Sequence, residues 1–405
     1  MRTRYGVSPW IHTFPESRRP DFPRLERERT ADVAIIGGGL TGCATAYACA
    51  AAGLSTVVID AGRIGQGSTG RSAGLLLPDP GPSFRDIAEA HGLRASRAVF
   101  QSWRRATLDA AALLRRLGIK CGLDPQDALI IGTRDEEKRL RREIDARVAA
   151  GFDVTYLSRK QLLATAGVEG IGALKMRDAF GLDPYRACVG LAHAARKRGV
   201  KFFERTPARK IKVGRRQVEV QTAQVPLIAQ TVVVTTGSAT LEFRQLRRHF
   251  ARREGYLVLT EPMPREMRKA IGSRGATIAD LRSPHHRIRF TDDDRIVVSG
   301  ADQEETPARK RDAVLVQRTG QLMYELLTLY PAISGLMPEF GWERAYGQTH
   351  DGLPYIGPHR NFPRHLFALG GEADSVTGAF LAARIVVHYL QGSTEKTDQV
   401  FGWTR

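Results

Sequence analysis

The chain of 405 residues contains no run of about 18 apolar residues, so its sequence predicts no transmembrane helix. The first twenty residues, MRTRYGVSPWIHTFPESRRP, contain no apolar segment of the kind that a secretory signal needs. These two absences lead us to expect a cytoplasmic protein. No internal repeat or low-complexity tract indicates a solenoid, fibrous or disordered class.

Cysteine is scarce and scattered. The four cysteines form no C-x-x-C pair and no metal-ligand spacing: Cys43, Cys49, Cys121 and Cys188. We expect all four to be reduced and to pack as small apolar residues. His285-His286 is the one histidine doublet, and no second cluster completes a metal site around it. The sequence therefore predicts no metal.

Acidic residues are outnumbered, with 43 Asp and Glu against 61 Lys and Arg and a formal net charge of +18. No nucleic-acid-binding motif accompanies the basic residues, so we expect no nucleic-acid partner. A solvated basic surface accounts for the excess. The alternative interpretation is electrostatic attraction of an anionic substrate or cofactor.

The most informative segment is residues 30–60, TADVAIIGGGLTGCATAYACAAAGLSTVVID. A short apolar run ends in the G-x-G-x-x-G of Gly37, Gly39 and Gly42, an alanine-rich helix follows, and a second apolar run ends at Asp60. The three glycines serve a tight turn, close approach of a pyrophosphate to the backbone, and packing of the helix on the sheet. The helix N-terminus favours phosphate, and an acid at the next strand end accepts hydrogen bonds from a ribose diol. The segment predicts a dinucleotide-binding βαβ unit.

The remaining pattern mixes helices with β-strands. We predict helices over 84–118, 135–150, 161–166, 184–198, 308–329 and 378–390, and strands over 128–133, 200–204, 231–236, 256–260, 288–290, 295–300 and 366–369. Strands 288–290 and 295–300 are expected to be antiparallel, since only a short acidic turn joins them. Helical and antiparallel segments alternate along the chain, which predicts an α/β (α+β overall) protein with two interleaved domains.

Four separated signatures resemble the FAD-dependent oxidoreductases of the D-amino-acid oxidase superfamily. The first is the βαβ unit; the others are GSTGRSAG at 67–74, LDPYR at 182–186 with VVTTG at 233–237, and WERAYGQTHDGLPYIGP at 342–358. The last is similar to the family pattern W-x-G-x-R-x-x-T-P-D-G-L-P-x-I-G-P. The N-terminal Ser8-Pro9-Trp10 resembles the gamma-glutamylputrescine oxidase branch.

The resemblance implies a Rossmann-like FAD-binding domain over residues 1–90, 178–245 and 340–405, interleaved with a substrate domain over 91–177 and 246–339, built on an antiparallel sheet. It implies noncovalent FAD, held by the glycines and Asp60 named above and by further residues: Leu40, Thr41, Ala61, Arg63, Gly67, Ser68, Thr69, Ser72, Ala73, Gly74, Ala208, Thr236, Gly237, Gly352, Gly371, Ser375, Val376 and Thr377.

One segment departs from the family. Where the family has approximately G-H-G-x-x-G after the strand at 366–369, this chain reads GGEADSVTG at 370–378. Glu372 and Asp374 bring two carboxylates to a loop that, in the family, donates N–H groups to the flavin edge on which negative charge develops. If they face the ring, the flavin potential is expected to be low.

The activity implied is oxidation of the C–N bond of an amine or amino acid. Hydride passes to flavin N5, the imine hydrolyses in water, and oxygen is reduced to hydrogen peroxide. Candidate substrate-binding or catalytic residues are Arg289, Tyr256, Tyr346 and His350, with Arg289 the candidate for a substrate carboxylate. Two alternatives stay open: a dehydrogenase that reduces a quinone or a protein, and a non-catalytic flavoprotein or complex subunit.

Overall fold

Two β-sheets and the helices between them organise the computed structural model, which describes residues 2–271, 276–282, 285–371 and 376–405. The strands in this part of the chain are β1 Arg4–Tyr5, β2 Arg29–Ile36, β3 Thr56–Ile59, β4 Leu75–Leu76, β5 Asp124–Gly132, β6 Val154–Ser158, β7 Gly172–Gly181, β8 Lys201–Phe203, β9 Lys210–Val213, β10 Val218–Gln221, β11 Pro226–Gly237, β12 Ala251–Thr260, β13 Ala276–Ala279, β14 Arg287–Phe290, β15 Ile296–Glu304, β16 Pro338–Gln348, β17 Tyr355–His359 and β18 Phe362–Leu369.

The α-helices are α1 Pro9–His12, α2 Leu40–Ala51, α3 Phe84–His91, α4 Leu93–Arg116, α5 Glu137–Ala149, α6 Arg159–Ala166, α7 Pro184–Lys197, α8 Arg265–Ile271, α9 Arg311–Leu329 and α10 Thr377–Gln391. Short 3₁₀ helices cover Glu16–Arg18, Thr69–Arg71, Arg134–Glu136, Leu241–His249, Ala308–Lys310, Pro331–Ile333 and Gln399–Phe401. No helix in the described ranges is long and apolar enough to cross a membrane.

The smaller sheet has the strand order β17-β18-β11-β2-β3-β8, and the β9–β10 hairpin extends it from β11. Strands β18, β11, β2, β3 and β8 are parallel, and β17 is antiparallel to β18. Helix α2 connects β2 to β3 on one side, whereas β11 joins β2 on the other, so the strand order reverses between β2 and β11. Ligands of open parallel sheets bind at this kind of switch point, outside the carboxyl ends of the strands.

Helices cover one face of the smaller sheet. Helices α2, α4, α7 and α10 bury their apolar sides together there, and Ala44, Trp103, Leu191 and Leu381 belong to this core. The close fit of α2 follows from its composition, because alanine and glycine side chains let the helix approach the sheet and its neighbours. The opposite face packs against the β9–β10 hairpin and the 3₁₀ segment Leu241–His249.

The larger sheet has the order β1-β16-β12-β15-β14-β13-β5-β7-β4, with β6 paired to β7. Its strands are mostly antiparallel, but β13 runs parallel to β5 and β1 runs parallel to β16. Helix α9 packs on one face of this sheet. Trp342 and Leu257 lie on the other face with Trp10 and Ala73, in the core that joins the sheet to the segment after β3.

The fold class predicted from the sequence is confirmed, and the expected antiparallel pairing of β14 with β15 is present. The helix predicted over 84–118 is broken by Gly92, whose φ of +85° ends α3 and begins α4. Nine strands in the described ranges were not foreseen: β1, β4, β6, β7, β9, β10, β13, β16 and β17. The domain boundaries stay a prediction; most of β16 falls in the segment predicted for the FAD-binding domain, yet it pairs with β12 in the larger sheet.

Candidate cofactor and active site

The glycine turn after β2 is tightly packed. Gly37 has a φ of +109°, and a Cβ on Gly42 would lie 1.9 Å from the carbonyl oxygen of Gly37. A side chain at position 42 would therefore separate α2 from the turn. The spacing read in the sequence thus matches the close helix–turn contact that the dinucleotide interpretation requires.

Asp60 follows β3 beside this turn. Its Oδ2 accepts a hydrogen bond from the backbone N–H of Gly38 at 2.6 Å, and its Oδ1 accepts one from Gly62 at 2.7 Å. Backbone groups therefore fix the carboxylate at the mouth of the turn. Its expected role toward a ribose stays a prediction.

The N-terminus of α2 meets the segment 67–74. The N–H of Leu40 donates to Thr69 Oγ1 at 2.9 Å, and a Cβ on Gly39 would lie 3.0 Å from that same oxygen. The first N–H groups of a helix have no partner within the helix. This end of α2 therefore combines the N–H groups of a first helical turn, the positive end of the helix dipole and a missing side chain, as a phosphate site requires.

A cleft of about 700 Å³ opens over the carboxyl ends of the parallel strands, and we call it the dinucleotide cleft. Among the residues that line it are Gly37, Gly39, Leu40, Thr41, Asp60, Ala61, Gly67, Ser68, Thr69, Ala208, Thr236 and Gly237. A second space of about 290 Å³, the inner cavity, is lined in part by Leu40, Thr41, Ser68, Thr69, Ser72, Thr236, Gly237, Tyr346, Gly371 and Val376. The dinucleotide cleft and the inner cavity share lining residues such as Leu40, Thr69 and Thr236, so together they form one elongated site. An extended dinucleotide needs a site of this shape.

The remaining residues expected at the cofactor do not line either space. Gly42, Ala73, Gly74 and Thr377 lie behind its walls; Thr377 Oγ1, for example, donates to the Leu77 carbonyl at 2.8 Å and accepts from the Leu77 N–H at 3.0 Å. Arg63 and Gly352 line neither space. Ser375, Glu372 and Asp374 lie outside the described residues.

Trp103 of α4 lines the inner cavity, and its side chain is 1% exposed. Its indole Nε1–H is buried, and the described part of the chain supplies no hydrogen-bond partner for it. A buried donor without a partner is costly. Together with the Gly39 cradle, this donor beside a cavity fits a bound group that carries acceptors.

Arg289 does not face the inner cavity. Its Nε donates to the carbonyl of Ala73 at 2.7 Å, its NH2 group donates to that of Leu182 at 3.0 Å, and its guanidinium lies 5.2 Å from the centre of the Trp10 ring. Burial lowers the pKa of Arg289 to about 10, and the charge of Asp183 opposes that shift. These contacts hold the guanidinium against backbone carbonyls and the Trp10 ring, and the substrate role expected for Arg289 stays a prediction.

Tyr256 and His350 also lie away from the inner cavity. Tyr256 is 2% exposed in the core under α9, where its hydroxyl donates to Glu254 Oε2 at 3.2 Å, and burial raises its pKa. His350 is exposed in the turn after β16. Strand periodicity could not show that Tyr256 faces the helix layer.

Tyr346 does line the inner cavity, and it has a charged neighbour that sequence reasoning missed. Arg344, two residues earlier on β16, lines the same cavity and is 2% exposed. Asp302 Oδ1 accepts a hydrogen bond from the Tyr346 hydroxyl at 2.7 Å and lies 3.9 Å from an Arg344 nitrogen. Gly255 leaves room for this pair, since a Cβ there would lie 2.6 Å from Asp302 Oδ1.

A signal for Arg344 was present in the sequence. In the family pattern W-x-G-x-R, this chain has Trp342-Glu343-Arg344-Ala345-Tyr346, so arginine stands at the glycine position and tyrosine at the arginine position. Positions two apart on a strand share a face. The guanidinium of Arg344 therefore lies on the same face of β16 as the arginine position of the family pattern, two residues before it.

Neither a metal site nor a disulfide is found in the described parts of the chain. No group of three or more metal-ligating side chains occurs there. All four cysteines are buried and free, and Cys43 and Cys188 lie with their sulfur atoms 3.6 Å apart behind the glycine turn. None of the four lines the dinucleotide cleft or the inner cavity.

Curated relatives match nearly the whole chain. The gamma-glutamylputrescine oxidoreductase of Escherichia coli strain K12 is 24% identical over 387 residues, which cover 93% of this chain and 87% of that protein. The glycine oxidase of Bacillus licheniformis is 26% identical over 380 residues, covering 91% of this chain and 95% of the relative.

Solved structures show the same fold. The glycine oxidase of Geobacillus kaustophilus superimposes with a TM-score of 0.78 at 20% identity, covering 93% of this chain and 99% of that one. The L-amino acid deaminase of Proteus vulgaris gives 0.76 at 17% identity, covering 98% and 99%. A model of the FAD dependent oxidoreductase (DAO) family matches residues 32–389, and the chain therefore belongs to this family of FAD-binding enzymes.

Proposed function

We propose that the protein oxidises the C–N bond of a small amine or amino acid with noncovalent FAD, and that oxygen reoxidises the flavin to give hydrogen peroxide. One observation carries the proposal. The inner cavity continues the dinucleotide cleft and ends at β16, where Arg344 and Tyr346 line it. A flavin ring in this cavity would have the larger sheet beside it, with the buried guanidinium of Arg344, which lies beside Asp302, in the cavity wall.

FAD, when bound, supplies the hydride acceptor, which is flavin N5. The chain supplies orientation and electrostatics. The N-terminus of α2 and Asp60 would hold the pyrophosphate and a ribose, respectively. Ser68, Thr69 and Ser72 form the wall along which the ring would lie.

Arg344 is the better anchor for a substrate carboxylate. Its burial makes a charge-assisted hydrogen bond stronger than at the surface, and the planar guanidinium suits a bidentate carboxylate. Asp302 and Tyr346 orient it from one side. The excess of basic residues in the chain would favour the approach of an anionic substrate.

Candidate substrates follow from the names of the relatives: glycine, gamma-glutamylputrescine and, from a structural neighbour with a TM-score of 0.74, L-proline. That neighbour is named a dehydrogenase, so an acceptor other than oxygen is the second candidate. A cytoplasmic location remains a prediction.

The test starts with the absorption spectrum of the purified protein. Anaerobic addition of a substrate should bleach the flavin bands, and air should restore them with one peroxide released per turnover. Acid precipitation should leave the flavin in the supernatant. Bleaching that only a quinone or a dye reverses would replace the oxidase with a dehydrogenase. Failure of every amine and amino acid to bleach a flavin-loaded protein would overturn the proposal.

Arg344→Leu should raise the KM for a carboxylated amine roughly 10- to 100-fold, because a charge-assisted hydrogen bond contributes about 1.5–3 kcal/mol. A substrate without a carboxylate should be nearly unaffected. Arg289→Lys is the matched control, since it alters a buried arginine of the same sheet that does not line the inner cavity, and it should not discriminate between the two substrates. Equal losses on both substrates in Arg344→Leu would exclude the anchor role.

A further inference from the structure

Four consecutive backbone carbonyls in the segment that walls the inner cavity each accept a hydrogen bond from a distant side chain. Ser8 Oγ donates to Gly70, Trp342 Nε1 to Arg71 at 2.9 Å, Trp10 Nε1 to Ser72 at 2.8 Å, and Arg289 Nε to Ala73 at 2.7 Å. The next carbonyl, that of Gly74, accepts from the N–H of Leu182 at 2.9 Å. Every carbonyl from 70 to 74 is therefore fixed from behind the cavity wall.

Two of these donors belong to the N-terminal segment 3–19, which we call the strap. The strap is attached at one end to the larger sheet, because β1 pairs in parallel with β16 and the Gly6 N–H donates to the Gly341 carbonyl at 2.8 Å. Farther along, Phe14 packs edge-on against Tyr185 of α7, with ring centroids 5.1 Å apart. The strap thus spans β16, the cavity wall and α7.

The strap does not itself line the dinucleotide cleft or the inner cavity. Ser8 and Trp10 nevertheless are 5% and 9% exposed, and both lie against the outer side of the wall. Ser72, whose carbonyl Trp10 binds, lines the inner cavity. The N–H of Gly74 also donates to Ser72 Oγ, at 3.2 Å, which leaves this part of the wall little freedom.

We propose that Ser8 and Trp10 are positioning residues for the flavin: the strap holds the wall of the inner cavity in the shape that binds the ring, together with Trp342 of β16 and Arg289, which bind neighbouring carbonyls of the same wall. Without these donors the carbonyls at 70 and 72 would be buried without partners, or the wall would turn to reach water. Either change loosens a wall against which a bound flavin ring would pack. The proposal rests on FAD binding and not on the identity of the substrate.

Trp10→Phe is the direct test, because it keeps an aromatic ring beside Arg289 and removes the N–H donor. Ser8→Ala removes the other donor. Each should weaken FAD binding roughly 2- to 10-fold, the effect of one neutral hydrogen bond, and the double variant should weaken it more. Titration of the apoprotein with FAD, followed by flavin fluorescence, measures the dissociation constant without turnover. The flavin absorption bands should also shift, since the surroundings of the ring change.

Phe14→Leu is the matched control, because Phe14 lies in the same strap and its ring contacts Tyr185 and the Arg186 guanidinium without donating to the wall. It should lower the apoprotein Tm while leaving the FAD dissociation constant and the absorption bands as they are. Two results would overturn the proposal: unchanged FAD affinity in Ser8→Ala/Trp10→Phe, or equal losses of FAD affinity in that variant and in Phe14→Leu. Neither result depends on whether an amine is oxidised.

Discussion

At the scale of single residues, the glycines and Asp60 were readable from the sequence and the two buried arginines were not. Gly39 and Gly42 act through the space next to their own backbone, and their spacing along the chain reports it. Arg289 and Arg344 act through the groups that they contact on other segments of the chain. A strand pattern indicates that two residues share a face, but it does not indicate which layer covers that face.

The cysteines illustrate the same limit. Cys43 and Cys188 are far apart in sequence, on α2 and α7, and their contact depends on how the two helices pack. The sequence correctly predicted that they are buried and free. The sequence could not indicate that the two cysteines touch behind the glycine turn, because contacts between helices depend on the packing of whole helix faces.

Gly39→Val should abolish FAD binding. A valine side chain would begin 3.0 Å from Thr69 Oγ1 and would occupy the approach to the N-terminus of α2, which lies in the dinucleotide cleft. The apoprotein should still fold, since the backbone at Gly39 has an ordinary φ of −72°. The measurement is flavin content per chain after purification, with circular dichroism as the check on folding.

Gly53→Ala is the control for that substitution. Gly53 has a φ of +82° at the end of α2, and no atom lies within 4 Å of a Cβ built there. Its replacement strains the backbone but leaves the cleft intact, so flavin content should stay near that of the wild type. A fully flavin-loaded Gly39→Val protein would show that the dinucleotide motif is misassigned.

At the scale of elements, most helices and half of the strands in the described ranges were predictable, because their periodicity and end signals are local. Asp183 accepts a hydrogen bond from the Arg186 N–H at 2.9 Å and begins α7, and Gly392 ends α10 with a φ of +68°. Among the strands that were missed, β9 and β10 have only four residues each. The pairing of β10 with β11, and of β9 with β10, defines them more than their composition does.

The ion pair that closes the C-terminal segment could not be read from the sequence either. Asp351 accepts hydrogen bonds from Arg405 Nε at 2.7 Å and NH2 at 3.0 Å, and from the Leu353 N–H at 3.1 Å. Burial alone would raise the pKa of Asp351, but these bonds and the charge of Arg405 outweigh it, so the pKa lies below its ordinary value of 3.8. The pair fastens the loop after β16 to the last residues of the chain.

Asp351→Asn should therefore lower the Tm at pH 7 by several degrees, since removing one partner of a mostly buried ion pair costs on the order of 3 kcal/mol. A lowered carboxyl pKa contributes stability above the pKa of the unfolded chain, and that contribution is lost as the pH falls through the lower folded value. The Tm difference between variant and wild type should shrink below about pH 4.

Asp351→Asn/Arg405→Met provides the control for this pair, because it removes both charges and should recover part of the lost stability. Thermal unfolding followed by circular dichroism between pH 7 and pH 3.5 gives the required curves. A Tm difference that is independent of pH would show that Asp351 acts through its turn geometry rather than its charge.

At the scale of the whole molecule, the fold class was predictable, because helical and antiparallel segments alternate along the chain; the interleaving of two domains stays a prediction. The sequence did not indicate to which of the two sheets each strand belongs. The strap at residues 3–19 reaches the larger sheet through β1, and β16 links that sheet to the wall of the inner cavity through Trp342. Such links join residues more than 270 positions apart, and no local pattern reports them.

The last prediction concerns FAD as a structural component of this assembly. The dinucleotide cleft and the inner cavity, of about 700 and 290 Å³, lie where the glycine turn, the segment 67–74 and β16 meet. A ligand that binds only the folded chain stabilises it by about 4 kcal/mol at a free concentration about 1,000 times its dissociation constant. Removal of FAD should therefore lower the Tm by several degrees, and added FAD should restore it. The Gly39→Val protein should unfold at the Tm of the apoprotein and should not respond to FAD. A wild-type Tm that is the same with and without FAD would mean that these walls hold their shape alone, and that the strap, rather than the cofactor, joins the two sheets.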